Sequence, residues 1–316
     1  MRLGTVLTPV TDENLQLAAQ CGVTDLVARY TDLRARGLRT IQRQAEAFGL
    51  TVPVVEGYLP IERLKVGTDD GTDLAAMKDL LKEMGDAGVN LLCYNFMAGT
   101  DWVRTQMDAP ERGGARVTAF RLKEVEQAVS LNSSTTVTAA GRVTAEQLWG
   151  NLERFLNELL PVAERAGVDL AMHPDDPPLP ELLGRARIMN SVESFERLIG
   201  LAPSPRNGIC FCQGSFATMN VDIPAAIRRL GPHIKYVHFR DVAGTPEDFR
   251  ETFHDNGPTD MAAAMRAYRE IGFAGTLRPD HVPQYVGEEG EPGYTMLGRL
   301  FAWGYIRGLM QATEAR

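Results

Sequence analysis

The chain alternates short apolar runs with amphipathic stretches along its whole length. Eight runs rich in β-branched, aromatic and aliphatic residues read as strands. They begin at Arg2 (RLGTVL), Thr24 (TDLVAR), Thr51 (TVPVVEG), Asn90 (NLLCYNF), Val168 (VDLAMHP), Gly208 (GICFCQG), Ile234 (IKYVHFRD) and Gly275 (GTLRPDH). Between them apolar positions recur at helical spacing, as in DENLQLAAQCG and DLAAMKDLLKEMGDAG. The longest such stretch, TAEQLWGNLERFLNELLPVAERAG, opens on the capping-box signature of Thr144 with Glu146–Gln147. Gly22, Gly88, Gly167 and Gly272 each close a helical pattern just before the next strand. Eight strand-then-helix units in 316 residues predict one (β/α)8 barrel domain spanning the chain. A doubly wound open sheet is the rival, but no Gly-rich dinucleotide turn follows a strand. One stretch breaks the rhythm. Residues 100–142, containing ERGGAR and SLNSSTTVTAAGR, read as a long insertion after the fourth strand that covers the barrel mouth.

Charge and cysteine usage narrow the function. The formal net charge of −8 argues against a nucleic-acid partner, which would need clustered Lys and Arg. No apolar run approaches the roughly 20 residues of a membrane-spanning helix. The start, MRLGTVLTPV, lacks the apolar core and cleavage site of a secretory signal. Cys21, Cys93, Cys210 and Cys212 are too few for a disulfide framework. A cytoplasmic protein with reduced thiols is expected, with Cys210 turned away from Cys212 and outside any site.

Candidate chemistry collects at the strand ends. Of five histidines, His173, His238 and His281 fall at the C-terminal ends of the fifth, seventh and eighth strands. Cys212 ends the sixth, and Asp280 stands beside His281. In a barrel these ends surround one mouth, where barrel active sites are built. Two imidazoles, a thiolate and a carboxylate suit a divalent transition metal, so His173, Cys212, His238 and Asp280 are the candidate ligands. In HPDDPP, Pro174 stops the strand ladder and Pro177–Pro178 stiffen the loop that follows. Asp175 and Asp176 are thereby expected at the mouth, where a carboxylate orients a ligand or accepts a bond from a substrate hydroxyl.

Five motifs occur in order: YNFM…DW.RT from Tyr94, HPDDPP from His173, FCQGS from Phe211, VHFRD from Val237 and RPDH from Arg278. Together they resemble the mannonate dehydratases, metal-dependent sugar-acid lyases on a xylose-isomerase-like barrel. The likeness runs from about Gly88 to the C-terminus. It implies loss of water from D-mannonate to give 2-keto-3-deoxy-D-gluconate, with Mn2+ on the four ligands above and Fe2+, Co2+ or Zn2+ as alternatives. It also implies an acid–base pair of His281 and Tyr294 (in EPGY), with His254 and Asn95 facing the substrate. Arg240 and Arg278, adjoining two ligand positions, are candidates to grip the substrate carboxylate. The expected partners are a small sugar acid and further copies of the same chain.

The departures from the family lie around the substrate. The first strand lacks the family's Arg-Trp pair, Val282–Pro283 follow RPDH in place of glycine, and FMAGTDW stands for FMPVFDW. Two other readings therefore stay open. One is a sugar or sugar-acid isomerase or epimerase on the same barrel, and the other is a non-catalytic metal-binding homologue.

Overall fold

All eight predicted strands form, and they close on one another in chain order. The computed structural model describes residues 1–99, 101–130 and 141–314. The barrel strands are β1 (Arg2–Thr5), β2 (Asp25–Arg29), β3 (Thr51–Glu56), β4 (Leu91–Tyr94), β5 (Asp169–Met172), β6 (Asn207–Cys212), β7 (Ile234–Phe239) and β8 (Thr276–Pro279). Each pairs in parallel with its sequence neighbours, and β8 pairs with β1 to complete the ring. Alternation along each strand divides the apolar residues into two sets. Val6, Val27, Val54, Leu91, Cys93, Ala171, Cys210 and Tyr236 form one small cluster that fills the barrel. Alternate positions such as Leu26, Val55, Leu92, Leu170, Phe211 and Val237 join the larger cluster shared with the helices.

Cys210 does not face away from Cys212. Residues two apart on a strand share a face, so both thiols point into the barrel, with Cys210 one layer beneath Cys212. Phe211 between them points outward and stacks on Phe216 with ring centroids 4.1 Å apart.

The helices start and stop where the sequence signals them. At Ala145–Ala166 the Gln147 N–H donates to Thr144 Oγ1 (3.2 Å), and the Thr144 N–H donates to Gln147 Oε1 (2.8 Å). Gly167 ends that helix at φ +72°, a conformation that favours glycine. The helix packs against Thr72–Asp86. There a Cβ on Gly85 would sit 2.6 Å from the Ala166 carbonyl oxygen, so only glycine permits the approach.

The stretch after β4 is more ordered than its composition suggests. Strands Gln106–Pro110 and Arg116–Arg121 pair antiparallel and join a hairpin of Val242–Thr245 and Asp248–Glu251 from the loop after β7. The resulting four-stranded sheet ties the β4 and β7 loops together. Val103, Phe120, Leu179, Leu182, Val242 and Phe249 form its own apolar cluster. Most of SLNSSTTVTAAGR, namely residues 131–140, lies outside the described residues. Among the described residues no helix is long and apolar enough to cross a membrane.

Candidate active site

Four strands deliver the four expected ligands to one place. His173 directly follows β5, Cys212 ends β6 opposite His238 of β7, and Asp280 directly follows β8. All four are buried. One ligand atom each from His173, Cys212 and His238 lies within 4.8 Å of the other two. Asp280 Oδ2 is 3.7 Å from His238 Nδ1 and 4.0 Å from Cys212 Sγ.

The hydrogen bonds leave the right atoms open for an ion. His173 Nδ1 donates to the Pro174 carbonyl (2.6 Å), which leaves Nε2 as the lone pair. His238 Nε2 lies 3.2 Å from Glu56 Oε2, a carboxylate that orients the ring. Its Nδ1 is then a buried lone pair with no hydrogen-bond partner among the described residues, a costly state unless a cation fills the space. Burial alone would raise the Cys212 thiol, but Arg240 and His238 outweigh it and hold it below its ordinary value. The residues fit a divalent metal. Cys93, Cys210 and His238 make a second grouping of similar compactness. The orphaned Nδ1 and Asp280 meet at the grouping with His173 and Cys212, while Glu56 already engages Nε2.

Behind the expected ligands lies a buried network of charge. Arg278 donates to Glu56 (2.8 Å), Asp280 (2.8 Å) and the Tyr236 hydroxyl (2.8 Å). Burial would raise the Glu56 carboxyl, yet Arg278 and the bonds from His238 and Tyr236 hold it at about 2. Arg240 pairs with both oxygens of Glu251 (2.7 Å each), with Asp176 (2.7 Å) and with Asp280 (2.9 Å). Both guanidiniums are thus occupied by protein carboxylates, so the structure gives them the task of holding Asp280 rather than an open grip on a substrate. Asp175 is likewise buried, accepting from the Met189 N–H (2.8 Å), and Asp176 pairs with Arg104 and Arg240. Neither carboxylate lines the cavity. His254 is also buried off the cavity wall, and burial draws its pKa down to about 4.

The cavity opens beside Asp280. His281, Tyr294, Asn95 and Trp102 line it, together with Arg29, Glu56, Tyr58, Lys65 and Glu291. His281 takes a left-handed φ of +46° at the strand end, and its Nδ1 lies 3.0 Å from Glu251 Oε1 and 3.2 Å from Arg104 Nη2. The Val282 N–H donates to the Gly293 carbonyl (2.8 Å), which brings Tyr294 alongside with ring centroids 5.6 Å apart. The Tyr294 hydroxyl donates to Asp280 Oδ1 (3.2 Å), and burial followed by the Asp280 charge pushes its pKa well up. Asn95 Oδ1 accepts from Lys65 Nζ (2.9 Å) and the Met97 N–H (3.0 Å). Trp102 packs edge-on to His173 at 5.6 Å.

Several of these residues were not anticipated from the sequence: Arg29, Glu56, Lys65, Arg104, Glu251 and Glu291. Arg29 and Glu56 end β2 and β3, so the strand-end rule that picked out the candidate ligands also points to them. Arg104 and Glu251 sit in the two loops joined by the four-stranded sheet, and nothing local in the sequence links them.

A model of the D-mannonate dehydratase (UxuA) family matches residues 10–316, nearly the whole chain. The chain belongs to the D-mannonate dehydratase family. The mannonate dehydratase of Oceanobacillus iheyensis is 34% identical over 298 residues, covering 88% of this chain and 85% of that protein. That of Enterococcus faecalis is 31% identical, covering 88% and 86%. The crystal structure of a mannonate dehydratase from Streptococcus suis serotype 2 superposes with a TM-score of 0.87 at 30% identity, over 99% of this chain and 93% of the other. A D-psicose 3-epimerase from Clostridium cellulolyticum H10 shares the barrel at TM-score 0.66, but at 13% identity the likeness is one of fold. D-mannonate dehydratases are metal-dependent hydro-lyases, and the ligand group fits that family chemistry.

Proposed function

We propose that the protein dehydrates D-mannonate to 2-keto-3-deoxy-D-gluconate, using Mn2+ held by His173, Cys212, His238 and Asp280. Family membership over nearly the whole chain carries the choice of reaction. The buried His238 Nδ1 without a hydrogen-bond partner supports the metal centre. When bound, the ion supplies Lewis acidity that orients the substrate and offsets the negative charge built up as the C2 proton leaves.

The rest belongs to side chains. A neutral imidazole accepts a proton near neutral pH, whereas a phenol with an ordinary pKa near 10 does not. His281 Nε2 therefore takes the C2 proton, and the Tyr294 hydroxyl donates to the C3 hydroxyl, which departs as water. The resulting enol becomes the ketone when its hydroxyl proton returns to Tyr294 and His281 gives its proton to C3. No proton is gained or lost overall. Glu251 and Arg104 hold the far side of the His281 ring, and Arg278 and Arg240 fix Asp280. Asn95, anchored by Lys65, faces the substrate hydroxyls.

The test is to load the protein with Mn2+, incubate it with D-mannonate and a panel of other hexonates and pentonates, and assay for 2-keto-3-deoxy acids. Turnover of D-mannonate well above the others is expected. An interconverted sugar acid with no keto product would support an epimerase instead, and no turnover of any acid would leave the non-catalytic reading.

A further inference from the structure

Three cations line the cavity, and two of them are spent. Lys65 Nζ, which can donate three bonds, gives them to Asn95 Oδ1, the Met97 carbonyl and Asp101 Oδ1 at 2.9–3.1 Å. Arg278 is taken up by Glu56, Asp280, the Tyr236 hydroxyl and the Pro279 carbonyl. Arg29 differs. Its Nη1 alone is used, by the two oxygens of Glu291 at 3.1 and 3.0 Å, so Nε and Nη2 have no partner among the described residues. The guanidinium lies over the Tyr294 ring (4.6 Å) and near the Tyr58 ring (5.3 Å), which holds its plane at the cavity wall.

The surroundings favour an anion there. Arg299 stands near the same phenol, 5.6 Å from the ring, and among the described residues its side chain donates only to Thr8 Oγ1. Burial, then the Arg29 charge, draws its pKa down to about 9. Glu291 is the one carboxylate hydrogen-bonded to either guanidinium among the described residues, and its side chain is 33% exposed, at the cavity edge. Tyr294 in turn reaches Asp280, so Arg29 lies about one phenol ring from a metal ligand.

We propose that Arg29, braced by Tyr58 and Tyr294, is the subsite that receives the carboxylate of the substrate. The proposal rests on the sugar-acid reading above and adds to it the group that recognises the acid. The open Nε–Nη2 edge offers the paired donors that grip a carboxylate bidentately, which an ammonium cannot do.

Calorimetric titration of the Mn2+-loaded protein with D-mannonate and its uncharged amide, D-mannonamide, tests this. Arg29→Gln should bind D-mannonate about 10- to 100-fold more weakly, the worth of a charged hydrogen-bonded pair, with its amide affinity and metal content unchanged. Its KM should rise more than its kcat falls. Arg29→Lys should recover only part of the loss. Glu291→Gln, which removes the competing carboxylate and keeps Arg29, should tighten D-mannonate binding. The subsite is overturned if Arg29→Gln binds D-mannonate as wild type does, if acid and amide weaken equally, or if wild type binds no hexonate. Arg29-dependent binding of D-mannonate without turnover would sink the proposed activity and keep the subsite. Turnover indifferent to Arg29 would do the reverse.

Discussion

His281 Nδ1 has two unlike neighbours. Glu251 Oε1 can only accept, and Arg104 Nη2 can only donate. A protonated Nδ1 is bound by the first and a bare one by the second, so the ring keeps its orientation whichever way its protons are arranged. Nε2 is left for the substrate, next to Asp280 but not taken up by it, at 3.8 Å from Oδ1. His281→Asn should keep its metal and fold while kcat falls by about 10²–10⁴-fold, the usual worth of a general acid or base. Metal stoichiometry and kcat on one preparation decide the matter, and a variant that arrives without metal would make His281 a ligand. The two thiols of β6 make a second contrast. Cys212→Ser should lose metal and activity together, since it removes the soft donor. Cys210→Ala, one layer down in the barrel filling, should keep its metal. Elemental analysis of both proteins separates the layers.

Elements were legible where their residues carry their own pattern. The barrel strands are dense apolar runs, and the long helix announces its start at Thr144. The mouth sheet gives no such signal: QMDAP and RVTAFR are short and half polar, and their ladder is completed by residues far along the chain, as in Arg121 opposite Asp248. The candidate ligands stood out in the sequence for a related reason. His and Cys are rare residue types, so their coincidence at strand ends stands out, whereas an arginine or glutamate there is defined only by its partners. Glu251 shows what the sheet contributes. It brings one carboxylate, 1% exposed, against Arg104, Arg240 and His281. Glu251→Gln leaves two buried guanidiniums with too little counter-charge and should cost about 3–5 kcal/mol of stability. Because His281 also loses its brace, kcat should drop more than KM changes, with metal content kept. Denaturant unfolding and steady-state kinetics would show whether both effects appear together.

At the scale of the molecule, the buried ion pairs gather at the C-terminal mouth of the barrel. Four strands converge on the candidate ligands, so a metal bound there only by the folded state should stabilise the whole domain by mass action. Stripping the protein with a chelator should lower Tm, and added Mn2+ should restore it in a concentration-dependent way. Acid attacks the same centre through its carboxylates. Burial would raise the Asp176 carboxyl, but Arg104 and Arg240 outweigh it and hold it well below the usual carboxylate range. A carboxylate with a depressed folded pKa binds its proton more readily in the unfolded chain. Its stabilisation is therefore complete above the unfolded value near 3.9 and is lost as pH falls towards the folded value. Asp176→Asn removes that contribution at every pH and leaves the guanidiniums short of a partner, a loss of about 3–5 kcal/mol at neutral pH. The gap in unfolding free energy between wild type and Asp176→Asn should stay constant from pH 7 to about 5 and narrow below about 4, as wild type acquires the proton that the variant never needed. Urea unfolding of both proteins across that range measures it. A gap that stays constant down to the acid transition would mean Asp176 is not the carboxylate on which the acid stability of this centre depends.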